Sequence, residues 1–351
     1  MKSKKLRYFF VVAGLLVLGL LLVRSAFRVS QAQAQSGSQL PAFGHVVFVP
    51  LEDHSYSQTV ATLSDHVTPV CPAPPNAPMP NLQALICSQG LATKYYADTH
   101  PAIGNYFTLA SGQILTNNDN YTPGSSMSCS DSSTVACSNS GLGYQTVDNI
   151  AKEMEAAYGT GSWKGYVECI PYAGYTTSTA IQTCPSGVPN STDHYYMYHG
   201  ILAYFTNVTQ TNRVPFYDPS TGAGFAHDVS AGALPPFSFI GPDGCDDAHD
   251  CSLSTADTWL QNKVVTPLQQ SRYFQSNGDG LLIITFDEDN NPNNDGCALQ
   301  TGTDCGGQIA TVIVSPYIIR QNYLQTSGDP TTPTAATNLR MCSGLWRRAW
   351  A

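Results

Sequence analysis

The sequence predicts an α/β fold with a mostly parallel central sheet and helices on both faces. Apolar or β-prone runs without alternation recur at 45–51, 236–242, 280–286 and 308–316, as strands covered on both faces read. Helical patterns alternate with such runs, the order expected of parallel strands joined by crossovers. Two of the runs stop at adjacent acids, Glu52-Asp53 and Asp287-Glu288. The carboxyl ends of strands are where an open α/β sheet binds ligands.

Residues 1–34 read as a signal peptide or N-terminal membrane anchor. Lys2, Lys4, Lys5 and Arg7 precede an apolar stretch from Tyr8 to Val23, and Ala32-Gln33-Ala34 offers a small-x-small cleavage site. Arg24 and Arg28 keep an uncleaved anchor open, although the stretch is short for a comfortable span. The chain is expected to be exported, whether periplasmic, secreted or facing outward from a membrane. Membrane contact is expected only through this segment if it is uncleaved. Residues 35–42 are a polar linker, 43–340 the folded domain, and 341–351 an atypical tail.

The first predicted strand is His45–Leu51, followed by Glu52-Asp53-His54-Ser55. Val67 to Pro80, rich in proline, reads as a surface loop. Pro101 opens a helix, proline being tolerated in a first turn. A helix start offers unpaired N–H groups and partial positive charge, which suit a phosphate. Residues 116–143 form a long Asn/Ser/Gly-rich loop. Asp148 to Tyr158 is a short amphipathic helix and Gly165–Cys169 a strand. His194–His199 and Ile201–Val208 mix aromatics with two histidines. Pro236–Pro242 is a strand entering a loop from Asp243 to Cys251 that carries four acids and a histidine. Thr255 to Gln270 is a helix with Trp259, Val264 and Leu268 toward the core. Strands at 280–286 and 308–316 complete the domain.

Composition excludes some functions. Charged residues make up 12% of the chain against 29 Gly, 23 Pro and 19 Tyr, as in a loop-rich extracytoplasmic protein. The net charge of −9 argues against nucleic acid as a partner, because a phosphate backbone requires a basic footprint. Ten of the eleven cysteines fall into close couples: Cys71/Cys87, Cys129/Cys137, Cys169/Cys184, Cys245/Cys251 and Cys297/Cys305. Their spacing does not match a zinc module, so disulfides formed in an oxidising compartment are expected. Cys342 is left over.

Acids and histidines recur at strand ends: Glu52, Asp53, His100, His199, Asp247, His249, Asp287 and Glu288. Hard oxygen donors suit a divalent cation, and metal-assisted hydrolysis also needs donors for phosphoryl oxygens, a nucleophile and an acid. The ordered stretches Leu51-Glu-Asp-His-Ser-Tyr, Thr99-His-Pro-Ala-Ile-Gly-Asn-Tyr, Trp163-Lys-Gly-Tyr-Val-Glu168, the His199 segment, Phe239-Ile-Gly-Pro-Asp with Asp247-Ala-His249, Asp257-Thr-Trp-Leu and Ile284-Thr-Phe-Asp-Glu288 carry a resemblance. The chain resembles the phosphoesterase family of bacterial acid phosphatases and phosphatidylcholine-type phospholipases C, within the alkaline-phosphatase-like superfamily.

The resemblance implies a three-layer α/β/α sandwich and hydrolysis of phosphate esters, with a small phosphate ester or a phospholipid as substrate. It assigns one divalent metal ion (Ca, Mg, Mn or Zn) to Glu52, Asp53, Asp287 and Glu288. It puts His100 and Asn105 beside the phosphate, and His199, Asp247 and His249 at phosphoryl oxygens or the leaving group. Four features depart from the family. Ala102 stands where a nucleophilic Ser or Thr is expected, Asp53 replaces Asn, and Gln308 replaces His. After Arg340, residues 341–351 replace an apolar helix, which reads as a truncated or frameshifted end. Ala102 supports the alternative of a catalytically silent relative that binds metal and phosphorylated ligands, with Thr99 the nearest other hydroxyl.

Overall fold

The computed structural model describes residues 42–123, 147–188, 192–290, 306–318 and 337–338. The expected signal segment, the Cys129/Cys137 and Cys297/Cys305 couples, Cys342 and the tail lie outside the described residues.

Strands β1 (His45–Leu51), β2 (Gly90–Tyr96), β3 (Trp163–Val167), β6 (Arg213–Pro215), β7 (Phe237–Gly241), β8 (Gly280–Phe286), β9 (Gln308–Val314) and β10 (Thr337–Asn338) form one eight-stranded sheet. Their order is β10-β2-β9-β8-β1-β7-β3-β6. β6, β3, β7, β1 and β8 run parallel, and β9 is antiparallel to both β8 and β2. β2 therefore points the same way as β1 and β8, and all three end on one edge. A separate hairpin pairs β4 (Ile181–Thr183) with β5 (His194–Tyr196).

All seven residues of β8 are buried, and only His45 of β1 is not. Both faces of the central strands are covered, as their apolar runs predict. Helices α1 (Tyr56–Thr59), α2 (Pro80–Ser88), α3 (Ala102–Ser111), α4 (Ile150–Tyr158), α5 (Phe225–Ala231) and α6 (Leu253–Trp259) lie between the strands in sequence. Asn149 caps α4 through Lys152 N–H, and Ser252 caps α6 through Thr255 N–H, so α6 starts two residues before the predicted Thr255. α6 continues through a π-helical stretch, Leu260–Val265, into α7 (Thr266–Gln270). Pro267 has no N–H for the regular helical ladder, which accounts for the wider turn before it.

β2, β6 and α2 were not among the predicted elements. β2 reads Gly-Leu-Ala-Thr-Lys-Tyr-Tyr, with Thr93 and Lys94 interrupting its apolar character, and β6 has only three residues. Disulfides Cys71–Cys87, Cys169–Cys184 and Cys245–Cys251 form as the spacing predicts. Among the described residues, no helix is long and apolar enough to cross a membrane.

Candidate functional site

β1 and β8 pair in register, with Leu51 opposite Phe286. Glu52 and Asp287 therefore emerge together at the carboxyl edge. Asp287 N–H donates to Leu51 O at 2.9 Å, extending the pairing by one residue. Asp287 Oδ1 in turn accepts the N–H groups of Asp53 (3.2 Å) and Glu288 (2.7 Å), which fixes its carboxylate. Asp53 adopts a left-handed φ of 52°, an uncommon conformation for a non-glycine residue. One ligand oxygen from each of Glu52, Asp53 and Asp287 lies within 4.8 Å of the other two, as the oxygens around a shared cation do.

A second group shares Glu52. His199 lies in a 3₁₀ segment, Met197–Tyr204, and is fully buried. Its Nε2 is 3.0 Å from Glu52 Oε1, and its Nδ1 is 2.6 Å from Asp247 Oδ2. The ring stacks between Tyr106 (5.4 Å) and Tyr196 (4.7 Å). Gly241 makes room for this segment, since a Cβ there would stand 2.6 Å from His199 O. The Asp243–Cys251 loop closes onto β1 through Glu52 N–H, which donates to Asp247 O at 3.0 Å. Asp247 Oδ1 accepts His249 N–H. His249 is half-buried; its Nδ1 is 2.8 Å from Asp250 Oδ1 and its Nε2 is 3.7 Å from Asp53 Oδ2.

Both ring nitrogens of His199 face buried carboxylates, and one ligand atom from each of Glu52, His199 and Asp247 lies within 4.8 Å of the other two. His249 presents an imidazole nitrogen toward Asp53. Asn105 is hydrogen-bonded through both ends of its amide. Its Oδ1 accepts Asp98 and Thr99 N–H, and its Nδ2 donates to Thr99 O and to Glu288 Oε2. Glu288 Oε1 is 3.0 Å from His100 Nδ1. The Glu288 carboxylate is thus turned to His100 and Asn105 and lies outside the Glu52–Asp53–Asp287 group. Thr99 Oγ1 donates to His100 O, so its hydroxyl is engaged with the backbone.

The electrostatics describe a site built for positive charge. Burial, then the charge of Glu52, pushes the Asp287 carboxyl well up; burial and Asp53 do the same to Glu288. Asp53 is raised by burial and by Glu52. Burial would raise Glu52 too, but the charge of His199 holds it below its ordinary range. Burial would lower His199, yet Asp247 and Glu52 carry it well above the usual imidazole value. Burial outweighs His199 at Asp247, which stands at about 6. Glu52 Oε1 and Oε2, Asp247 Oδ2 and Asp287 Oδ2 are buried without an aligned hydrogen bond. Buried carboxylate oxygens of this kind require a counter-charge. Glu52, Asp53 and Asp287 therefore fit a divalent cation.

Sequence reasoning missed several neighbours. Tyr106 and Tyr196 enclose His199, and Asp250 contacts His249, His194 and Tyr196. Asp119 folds back onto the first turn of α3, where its Oδ1 accepts Ile103 N–H at 3.0 Å. The adjacency of Asp250 to His249 and of Tyr106 to Asn105 offered a clue; Tyr196 and Asp119 meet the site through the fold. A cleft of about 950 Å³, lined in part by Glu168, Phe216, Tyr217, Asp246, Trp259 and Lys263, includes none of the nine predicted site residues.

Fold and site together define an α/β protein whose strand ends bring carboxylates and imidazoles together with the donor set of a divalent cation. The chain belongs to the phosphoesterase family, whose model matches residues 74–334. It is 24% identical over 254 residues to a phosphatidylinositol-3-phosphatase of Mycobacterium tuberculosis, covering 72% of this chain and 66% of that protein. It is 29% identical over 217 residues to a phosphate-repressible acid phosphatase of Penicillium chrysogenum, covering 59% of this chain and 43% of the relative. It thus spans less than two thirds of the length of either. A solved alkaline phosphatase superfamily protein from Vibrio parahaemolyticus aligns with a TM-score of 0.46 and 12% identity, covering 84% of this chain and 68% of the other.

Proposed function

We propose that this chain is an exported, divalent-metal-dependent phosphoesterase of acid phosphatase or phospholipase C type. The observation that carries the reading is the convergence of Glu52, Asp53 and Asp287 at the carboxyl edge of a phosphoesterase-family chain. These three residues hold the cation, and Glu288, braced by His100 and Asn105, supports them. Their oxygens suit Mg²⁺, Ca²⁺ or Mn²⁺, and the nearby imidazoles also admit Zn²⁺. When bound, the cation supplies positive charge to the phosphoryl oxygens. His199 and Asp247 keep Glu52 oriented. His249, anchored at Nδ1 by Asp250, presents Nε2 as the proton donor to the leaving oxygen. Three disulfides among the described residues agree with export to an oxidising compartment.

The test is phosphate release from an aryl phosphomonoester, beside head-group release from phosphatidylcholine vesicles, each with and without chelator. Release that needs added metal and is lost in Asp287→Asn is expected, and the better substrate separates the two types. Metal-independent release, or none from either substrate, refutes the reading.

A second reading is favoured by Ala102 at the first position of α3 together with the engaged Thr99 hydroxyl. In it the chain is a silent relative that binds metal and phosphorylated ligands. Tight metal binding without turnover on either substrate is its expected result, and turnover by the unmodified protein removes it.

A further inference from the structure

The missing hydroxyl at position 102 leaves the phosphoesterase reading without an attacking group at the position where the resemblance expects one. Ala102 begins α3, and its side chain has nothing to donate. Thr99 Oγ1 is spent on His100 O. Chemistry of another kind meets the same helix start in Asp119. It lies beyond the carboxyl end of α3 in sequence, yet the chain returns it to the helix's first turn. There its Oδ1 accepts the N–H of Ile103, the residue directly after Ala102, at 3.0 Å. Pro101 contributes no side-chain cap, so Asp119 serves this helix end from outside.

We infer that Asp119 is the general base of a direct attack by water, taking the part that a hydroxyl at position 102 would otherwise play. The inference rests on the phosphoesterase reading. In the step, Asp119 takes a proton from water and the water oxygen forms the new P–O bond. The ester P–O bond breaks as the leaving oxygen takes a proton from His249. The products are an alcohol and inorganic phosphate, and both side chains then re-equilibrate with solvent protons.

Three features support this role. Oδ1 is held by Ile103, which orients the carboxylate and leaves Oδ2 to receive the proton. The carboxylate interacts with the site from several sides: Glu52 and Asp53 after β1, Glu288 after β8, and Tyr198 and His199 of the 3₁₀ segment. Burial raises its carboxyl despite the Ile103 bond, the direction that favours proton uptake by a base.

Asp119 also serves as a helix cap, and that role alone predicts a different outcome. Asparagine caps a helix about as well as aspartate but is not a base. Asp119→Asn is therefore compared with the unmodified metal-loaded protein on an aryl phosphomonoester, and the stereochemical course is read with its isotopically chiral phosphorothioate analogue hydrolysed in water of the remaining oxygen isotope. The expected result is inversion at phosphorus by the unmodified protein. The Asn variant loses about 10²–10⁴-fold in kcat, with KM and Tm little changed. Asp119→Ala loses the same activity and also melts earlier. An Asn variant within about threefold of the unmodified protein, far short of the expected general-base loss, overturns the inference and leaves Asp119 a cap. Retention at phosphorus overturns it in favour of a covalent intermediate. Absence of turnover by the unmodified protein with any of Mg²⁺, Ca²⁺, Mn²⁺ or Zn²⁺ overturns the phosphoesterase reading and this inference together.

Discussion

Replacing His199 by alanine is expected to destabilise the protein in a way that depends on pH. The imidazole lies between Glu52 and Asp247, and all three side chains are fully buried. Deleting one partner of a buried ion pair costs about 3–5 kcal/mol. Losing the stacks on Tyr106 and Tyr196 adds about 0.5–1.5 kcal/mol each. Proton uptake by Asp247, already raised to about 6, recovers part of this. A net loss on the order of 4 kcal/mol remains, which lowers Tm by about 10 °C in a domain of this size. The sign follows from the shifts. His199 is raised, so its contribution is complete below the unfolded imidazole value of about 6.5 and is lost as pH rises through the folded value. Glu52 is lowered, so its contribution is present above its unfolded value and is lost as pH falls through the folded one. The deficit of His199→Ala is therefore largest in mildly acidic to neutral solution and shrinks toward alkaline pH. Thermal unfolding followed by circular dichroism, in chelator from pH 5 to 10, reads this directly. A Tm difference below about 2 °C at pH 6, or a deficit that grows with alkali, refutes the argument.

Three further outcomes are expected. A divalent cation at about 100 times its Kd stabilises the unmodified protein by about 2.7 kcal/mol; Asp287→Asn flattens that Tm response, and an equal response in both would exclude Asp287 as a ligand. Asp257 accepts the N–H groups of Asn81 and Leu82 at the start of α2, so Asp257→Ala strands buried donors. It should cost about 1–3 kcal/mol in urea unfolding, and an unchanged midpoint would show those donors satisfied elsewhere. Asp228 bonds Lys164 Nζ and Tyr166 Oη, which hold its carboxyl below the ordinary range against the effect of burial. Its contribution is present above the unfolded carboxylate value and is lost as pH falls through the folded one. Asp228→Asn should thus melt earlier near pH 6 and converge with the unmodified protein in acid, whereas a constant gap across that range would contradict this assignment.

The legible parts of the fold are those where burial is complete. β1, β7, β8 and β9 are apolar along nearly their whole length because the sheet is covered on both faces, and their runs stand out in sequence. β2 was hidden by Thr93 and Lys94, and β6 by its length of three residues. The Glu52-Asp53 and Asp287-Glu288 pairs were legible because each directly follows such a run. The division of labour inside the second pair was not. Adjacent residues leaving a strand point in different directions, so Asp287 meets Glu52 while Glu288 turns to His100 and Asn105.

The sequence by itself pointed to the fold class, to the three cysteine couples that the described residues contain and to the acidic strand ends, because each depends on composition and spacing along a few residues. Tertiary structure decided the rest. It set β9 antiparallel between β8 and β2 and aligned the ends of β1 and β8 so that their acids share one position. It buried His199 between two carboxylates and returned Asp119 to the start of α3. These outcomes depend on strand order and chain reversal over distances that no local pattern encodes, so the partners of each charged group appear only once the sheet is assembled.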